Sequence, residues 1–351
     1  MKVILVSINE YTRQLKQELM KKQVDVELFP SFHYATPKNV LRTFILKNKG
    51  YNIIHFGWLY AFLSDNLMKF YVKFAKKLDY KLIYQIHDIQ PHEKKFGGKK
   101  KIEWWYRHMD HLFLHYPSSL DRIKNELGID ITSSQFPDYT IMFHPNWGDR
   151  YKNQISQREA RKKLGIAQNK RVLLSFGLIK QYKGMEIFAD VMEKLQKING
   201  SYFGMVAGIP HDLKVVKYLE KKSHKLENFV VVPKKIPNDD VQIYMNAADC
   251  IILPYTMTNL TSSGVLNLAY TFHKPVITTW YPSLEDIVTE DRGLFIKNPC
   301  DLESIIERIE KLFSMDYENM GENAYNFIKT LTWEKLTKLM IKGYMEVLKE
   351  W

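Results

Sequence analysis

Phe176-Gly177-Leu178-Ile179-Lys180-Gln181-Tyr182-Lys183-Gly184 follows the apolar run 171–176 and leads into an amphipathic stretch. A short apolar run, a turn bearing glycine and lysine, and a segment of helical period read as strand, loop and helix at the carboxyl edge of a sheet. Ligands of open α/β sheets bind at that edge. Outward from this point the rhythm repeats. Segments 202–207, 229–232, 249–253 and 275–279 are predicted strands on the C-terminal side. On the N-terminal side they are 3–6, 24–29, 53–56, 81–86 and 111–115, again with helix-length segments between them. Continuous short apolar runs of this kind belong to parallel strands covered on both faces.

The chain has 351 residues, 26% charged and 45% hydrophobic, a globular composition whose length favours two domains. The polar stretch 145–161 has turn composition and no apolar run, so it is the predicted linker. The reading is an α/β protein of two Rossmann-like βαβ domains, 1–150 and 151–331, facing each other across a cleft. A final helix, within 332–351, has Trp333, Leu336, Met340, Tyr344 and Val347 at helical spacing and packs back toward the first domain. No apolar stretch approaches the roughly 20 residues that span a bilayer. The first residues read as a buried strand and not a signal peptide. Cys250 and Cys300 form neither a disulfide framework nor a metal-ligand spacing, which fits a reducing cytoplasm.

Lys and Arg number 51 against 39 Asp and Glu, a formal charge of +12. An anionic partner is one reading and lysine-decorated solvated faces are the other. The usual phosphate devices are missing: there is no Gly-x-Gly-x-x-Gly after the first strand, no Walker loop and no Asp-x-Asp. A diphosphate here must therefore be neutralised by lysines and helix N-termini, with no metal and no cofactor required. Lys180 and Lys183 sit in one strand-to-helix loop. Thr261, Ser262, Ser263 and Gly264 open the apolar helix that follows the strand ending in Leu253-Pro254-Tyr255. Taken singly, Ser262 is an ordinary N-cap and the lysines are solvated charges; together, at equivalent sheet edges, they favour a diphosphate site.

At these residues the chain resembles a known family. Gly177-Leu178-Ile179-Lys180-Gln181-Tyr182-Lys183-Gly184, Ala247-Ala248-Asp249, Leu253-Pro254-Tyr255, Ser263-Gly264-Val265, Lys274-Pro275-Val276-Ile277 and Glu285 are similar to the donor-binding half of GT-B glycosyltransferases of family 4 (group 1, retaining). In the first half Asn9-Glu10-Tyr11, Gly57-Trp58, Ile86-His87-Asp88-Ile89-Gln90-Pro91-His92-Glu93 and His144-Pro145-Asn146 match as well. The resemblance implies a hexosyltransferase that moves a sugar from a nucleotide-diphosphate sugar to a glycan or lipid-linked saccharide, with retention, in cell-surface polysaccharide or glycolipid synthesis. It assigns Lys180 and Lys183 to the diphosphate and its departure, and places Gly177, Ser262, Ser263, Gly264 and Val265 in the donor site. His87 falls beside the donor sugar, and Asn9, Tyr11, Trp58, His92 and Glu93 fall on the acceptor side. Where the family carries two glutamates eight residues apart, this chain has Leu260 or Thr261 and then Leu268. Other readings stay open: His87 as a strand-end residue holding a loop, Asp88 or Glu93 as the base of an inverting transfer, or a non-catalytic nucleotide- or glycan-binding module.

Residues 94–107, Lys-Lys-Phe-Gly-Gly-Lys-Lys-Lys-Ile-Glu-Trp-Trp-Tyr-Arg, hold six basic residues, one acid and four aromatics. Lysine heads bind anionic headgroups and Trp and Tyr favour the interface, so the segment is expected to dock the first domain on the inner face of the cell membrane. A loop leading into a helix with Trp104 and Trp105 partly in the core is the alternative, and single-stranded nucleic acid is a third reading. No nucleic-acid partner is expected.

Overall fold

The apolar runs become two six-stranded sheets, every pairing parallel, in a computed structural model that describes residues 1–7, 9–29, 36–57, 65–87, 89, 98–148, 150–257 and 263–349. The first unit runs β1 (Lys2–Val6), α1 (Glu10–Lys21), β2 (Asp25–Phe29), α2 (Pro37–Asn48), β3 (Ile53–Phe56) and α3 (Asp65–Lys77). It continues with β4 (Lys81–Ile86), α4 (Lys99–Arg107), β5 (His111–His115), α5 (Ser118–Leu127) and β6 (Tyr139–Met142). The strands lie in the order β2-β1-β3-β4-β5-β6. Helices α2, α3 and α4 bury Leu46, Met68, Tyr71 and Trp105 in one core with Ile54, Phe56 and Leu82.

The second unit holds α6 (Gln157–Leu164), β7 (Arg171–Phe176), α7 (Met185–Ile198), β8 (Tyr202–Ala207), α8 (Leu213–Ser223), β9 (Phe229–Val232) and α9 (Val241–Ala247). After these come β10 (Cys250–Leu253), α10 (Gly264–Thr271), β11 (Val276–Thr279), α11 (Pro282–Glu285), β12 (Gly293–Ile296), α12 (Leu302–Ser314) and α13 (Tyr317–Ile328). Its order, β12-β11-β10-β7-β8-β9, reverses direction between β7 and β10. Helices leaving those two neighbours diverge, which opens a crevice at their carboxyl ends. The last helix, α14 (Trp333–Lys349), belongs to the first unit and buries Trp333, Leu336, Met340 and Tyr344 there. Gly343 permits that contact, because a Cβ in its place would lie 2.8 Å from the Phe113 ring.

The structure departs from the sequence reading in four places. Strands β6 and β12, four residues each, lie at sheet edges, where partial exposure of Tyr139, Thr140, Ile141 and Phe295 blurs the apolar pattern. The expected linker is irregular up to Ser156 but ends in a helix. Ser156 and Glu159 form a capping box that starts α6, and the Trp147 indole N–H donates to the Gly264 carbonyl at 3.1 Å. The Asn146 N–H donates to the Leu331 carbonyl at 2.8 Å, so the division between units falls at His144/Pro145 and not at 150/151. In the basic stretch, Trp105 and Tyr106 are 0% and 1% exposed. They fill the core of the first unit, and Trp104 stacks on His108 at 3.9 Å. Trp105 and Tyr106 are thus withdrawn from the surface, Trp104 is half-buried, and Lys99 and Lys100 stay exposed.

One buried ion pair joins α6 to the second sheet. Arg161 Nη2 is 2.7 Å from Asp249 Oδ2, both side chains under a tenth exposed. Asp249 also accepts from the Val172 N–H at 2.7 Å and from Gln157 Nε2 at 2.9 Å. Removing one partner of such a pair strands the other, at about 3–5 kcal/mol. Asp249→Ala should therefore lower the stability of this unit by about that amount in urea titration. A loss below about 1 kcal/mol would show that the pair is not what joins α6 to the sheet.

Candidate active site

At the crevice between β7 and β10 the chain brings three turns into contact. Gly177, leaving β7 with φ +111°, takes a conformation that side-chain-bearing residues avoid. A Cβ there would lie 3.1 Å from the Val265 side chain at the start of α10. Lys180 then caps a 3₁₀ turn, Gln181–Lys183, which ends at Gly184 in the left-handed conformation. A Cβ on Gly184 would sit 1.9 Å from the Pro254 carbonyl oxygen, so the turn after β7 lies directly on the turn after β10. The Thr256 N–H donates to the Tyr182 carbonyl at 2.9 Å and closes that junction.

The junction sets a cation beside a helix N-terminus. Lys183 Nζ donates to Tyr255 Oη at 3.2 Å and lies 4.3 Å from the Tyr255 ring centre and 5.1 Å from that of Tyr182. Tyr255 Oη in turn is 2.8 Å from Ser263 Oγ. Ser263 is the N-cap of α10 and accepts the Leu266 N–H at 3.2 Å. Its cap leaves the N–H groups of Gly264 and Val265 at the positive end of the helix dipole. Partial burial lowers the Lys183 pKa, because an ammonium loses hydration there, and burial raises that of Tyr255, which stays a neutral phenol. Among the described residues the Lys180 ammonium has no hydrogen-bond or ion-pair partner. Such an edge, with two lysines and the N–H groups of a helix N-terminus, can hold an anion with several oxygens.

In the first unit three neighbouring strands each end at or shortly before a histidine. His87 follows β4, His115 ends β5 and His144 follows β6. The Tyr11 ring lies edge-on to His87 at 5.2 Å, at 5.4 Å from His144 and at 5.3 Å from Trp333. Gln85 Nε2 donates to Tyr11 Oη at 2.9 Å and lies 3.0 Å from His115 Nε2. Burial, with the mutual repulsion of the imidazoles, holds His87 far below the usual histidine range and His115 down to about 3. These rings are neutral at physiological pH. They can exchange hydrogen bonds with a hydroxyl but cannot supply positive charge.

Gly177, Lys180, Lys183, Ser263, Gly264 and Val265 thus share one edge of the second sheet, and Tyr11 and His87 share one edge of the first. Asn9 spends its side chain on the N-cap of α1, accepting from Thr12 at 2.9 Å. Ser262, Trp58, Asp88, His92 and Glu93 lie outside the described residues, as do Leu260, Thr261 and 94–97. Leu268 is buried in α10. Glu285 accepts from the Trp280 indole at 2.8 Å. The sequence reading passed over Tyr255 and Tyr182 as site residues, and His115 with Gln85. A signal existed for each: a polar or aromatic residue at or just past a strand end falls on the ligand-bearing edge.

Comparison with known proteins adds to this geometry. Residues 156–327 match the family model for glycosyl transferases group 1. The processive diacylglycerol alpha-glucosyltransferase of Acholeplasma laidlawii is 23% identical over 192 residues, 54% of this chain and 54% of that protein. The chain spans about half the length of the first curated relatives it matches. Among solved structures, sucrose-phosphate synthase from Thermosynechococcus elongatus superposes with a TM-score of 0.80 at 14% identity, covering 100% of both chains. Anabaena HepE, solved with UDP and glucose, gives 0.74 at 13% identity over 99% of this chain and 100% of that one. Likeness at this identity shows the fold, two Rossmann-like units as in the GT-B transferases.

The contact of Gly184 with Pro254 can be isolated with an internal control. Gly165 has a similar φ, +69° against +65°, but a Cβ there would meet nothing within 4 Å. Gly165→Ala should cost about 1 kcal/mol, from the backbone conformation alone. Gly184→Ala should cost at least about 2 kcal/mol more in urea unfolding, since it must also push the two turns apart. Equal losses would show that the junction yields freely.

Proposed function

We propose that this chain, whose residues 156–327 form a domain of the glycosyl transferases group 1 family, moves a sugar from a nucleoside-diphosphate sugar to a glycan or lipid-linked saccharide in making a cell-surface polysaccharide or glycolipid. The observation that carries the reading is the array of Lys183, Tyr255 and Ser263 at the β7/β10 switch point, beside the N–H groups of Gly264 and Val265, which have no partner among the described residues. As the bond from sugar to diphosphate breaks, negative charge grows on the departing phosphate, and groups already aimed at it lower the barrier. Lys183 is pre-positioned by Tyr255, and Lys180 supplies a second cation from the same turn. A donor phosphate would restore to Lys183 the charge stabilisation that burial removes.

Several supports converge. HepE is solved with UDP and glucose, and the Acholeplasma relative is an alpha-glucosyltransferase acting on a diacylglycerol. They favour a nucleotide-sugar donor and a lipid-borne acceptor, and retention follows from the family 4 resemblance alone. The first unit is the acceptor-binding part in this reading, and neutral His87 hydrogen-bonds a sugar hydroxyl. No metal is required, because lysines and a helix terminus meet the diphosphate charge. The acceptor would be met at the inner face of the cell membrane.

Lys183→Ala should weaken nucleotide-sugar binding and turnover by roughly ten- to a hundredfold, the value of about 1.5–3 kcal/mol for a charge-assisted hydrogen bond, and Lys180→Ala should act in the same direction but less. Binding is read by thermal shift against a panel of sugar nucleotides, where saturation at a hundred times Kd adds about 2.7 kcal/mol. Unchanged constants in both variants would move the diphosphate elsewhere. A chelator should leave turnover intact. Activity abolished by chelation and restored by magnesium or manganese would overturn the metal-independent reading.

A further inference from the structure

Helix α2 is apolar on its outer side as well as its inner one. Its inward face carries Asn39 and Thr43 beside Leu46, all three buried. Thr43 Oγ1 bonds the Asn39 carbonyl and Tyr71 Oη, each at 2.8 Å, and the Thr43 carbonyl accepts from Tyr80 Oη at 2.8 Å. The outward face, at three- and four-residue spacing, carries Leu41, Phe44 and Ile45, which are 60%, 47% and 43% exposed. A helix that only covered a sheet would carry polar residues on that outer side. Beside it on α3, Phe70 is 51% exposed and stacks on Phe74 at 6.2 Å. The Thr43–Tyr71 bond ties α2 to α3. Lys101 with Asp65 at 2.6 Å, and Lys69 over the Trp104 ring at 5.7 Å, tie α3 to α4.

Around this apolar centre lysines predominate, although exposed Asp79 lies at the end of α3 and Glu27 pairs with Arg42. Lys38 and Lys49 flank the α2 stripe, Lys73 and Lys77 lie on the outer side of α3, and Lys99 and Lys100 open α4, all exposed. Among the described residues no acid pairs with any of these six. Helix α2 contains no acid. Asp65 and Glu103, on the neighbouring helices, are engaged by Lys101 and Arg107. Apolar side chains ringed by unpaired lysines match one surface chemistry in particular: acyl chains beneath anionic headgroups.

We propose that the outer face of α2 and α3, with the first turn of α4, docks the first unit on an anionic lipid bilayer. Leu41, Phe44, Ile45 and Phe70 enter the headgroup boundary and the six lysines engage the phosphates. The proposal rests on the reading of a lipid-linked acceptor. It replaces the buried Trp105 and Tyr106 by a different set of apolar contacts.

The test is co-flotation of the full chain with vesicles of phosphatidylcholine alone or mixed with phosphatidylglycerol. Binding should need phosphatidylglycerol and should fade at high salt. Phe44→Glu and Phe70→Glu should each weaken it by about tenfold or more, from lost apolar burial. Lys38→Ser and Lys73→Ser should each weaken it about fivefold. Lys342→Ser, on the exposed side of α14, should change nothing. All the altered side chains are exposed, so thermal midpoints should stay close to the parent's. Absent binding, or equal binding to neutral vesicles, overturns the proposal. So does concentration-dependent self-association that Phe44→Glu abolishes without vesicle binding in the parent, since the face would then belong to a second copy. Nucleotide-sugar thermal shifts on the same variants separate the two readings. Shifts without vesicle binding remove only the membrane face, and vesicle binding without shifts removes only the donor reading.

Discussion

The ligand-bearing edge of the second sheet depends on one close approach, that of the Gly184 backbone to the Pro254 carbonyl. No side chain fits between them, since a Cβ on Gly184 would be 1.9 Å from that oxygen. Because the two turns touch, Lys183 from one reaches Tyr255 of the other, and Tyr255 reaches the cap of α10. A second approach of the same kind lies alongside. Gly208 after β8, with φ +153°, would collide through a Cβ with the Gly177 carbonyl, so three successive strand ends are drawn together by absent side chains. Glycine is needed here for space as much as for conformation.

The two units place opposite electrostatics at their sheet edges. In the second, lysines and a helix N-terminus offer positive potential that two tyrosines orient without neutralising. In the first, the imidazoles are close enough, 4.9 Å between His87 and His115, to hold one another neutral along with burial. A diphosphate suits the former and sugar hydroxyls suit the latter. The same contrast separates the faces of the first unit. Its core takes in Trp105 and Tyr106, and the outer side of α2 leaves Leu41, Phe44 and Ile45 in contact with solvent.

Much of the fold was legible because a parallel sheet covered on both faces requires continuous apolar strands, and ten of these stand out as short runs between helical segments. The strands that escaped notice, β6 and β12, are edge strands, for which that requirement lapses. Helix α6 hid in a polar stretch because only Ala160 and Arg161 face inward, and Arg161 is held by an ion pair that hydropathy does not register. The lysine loop and the serine cap were legible because turn chemistry and helix-start chemistry are local.

The sequence alone determined most of the strands and helices, where glycine and lysine punctuate the strand ends, and that no Asp-x-Asp is present; each is read from a few neighbouring residues. Tertiary structure decided the rest. Strand order set β10 beside β7, and so brought Tyr255 and Ser263 to Lys183 across more than seventy residues of chain. Packing sent the aromatics of α4 inward and the apolar stripe of α2 outward, though both stretches are mixtures of basic and apolar residues. Periodicity shows that a helix has an apolar side. Only the neighbours against which it packs determine whether that side meets the core or faces outward.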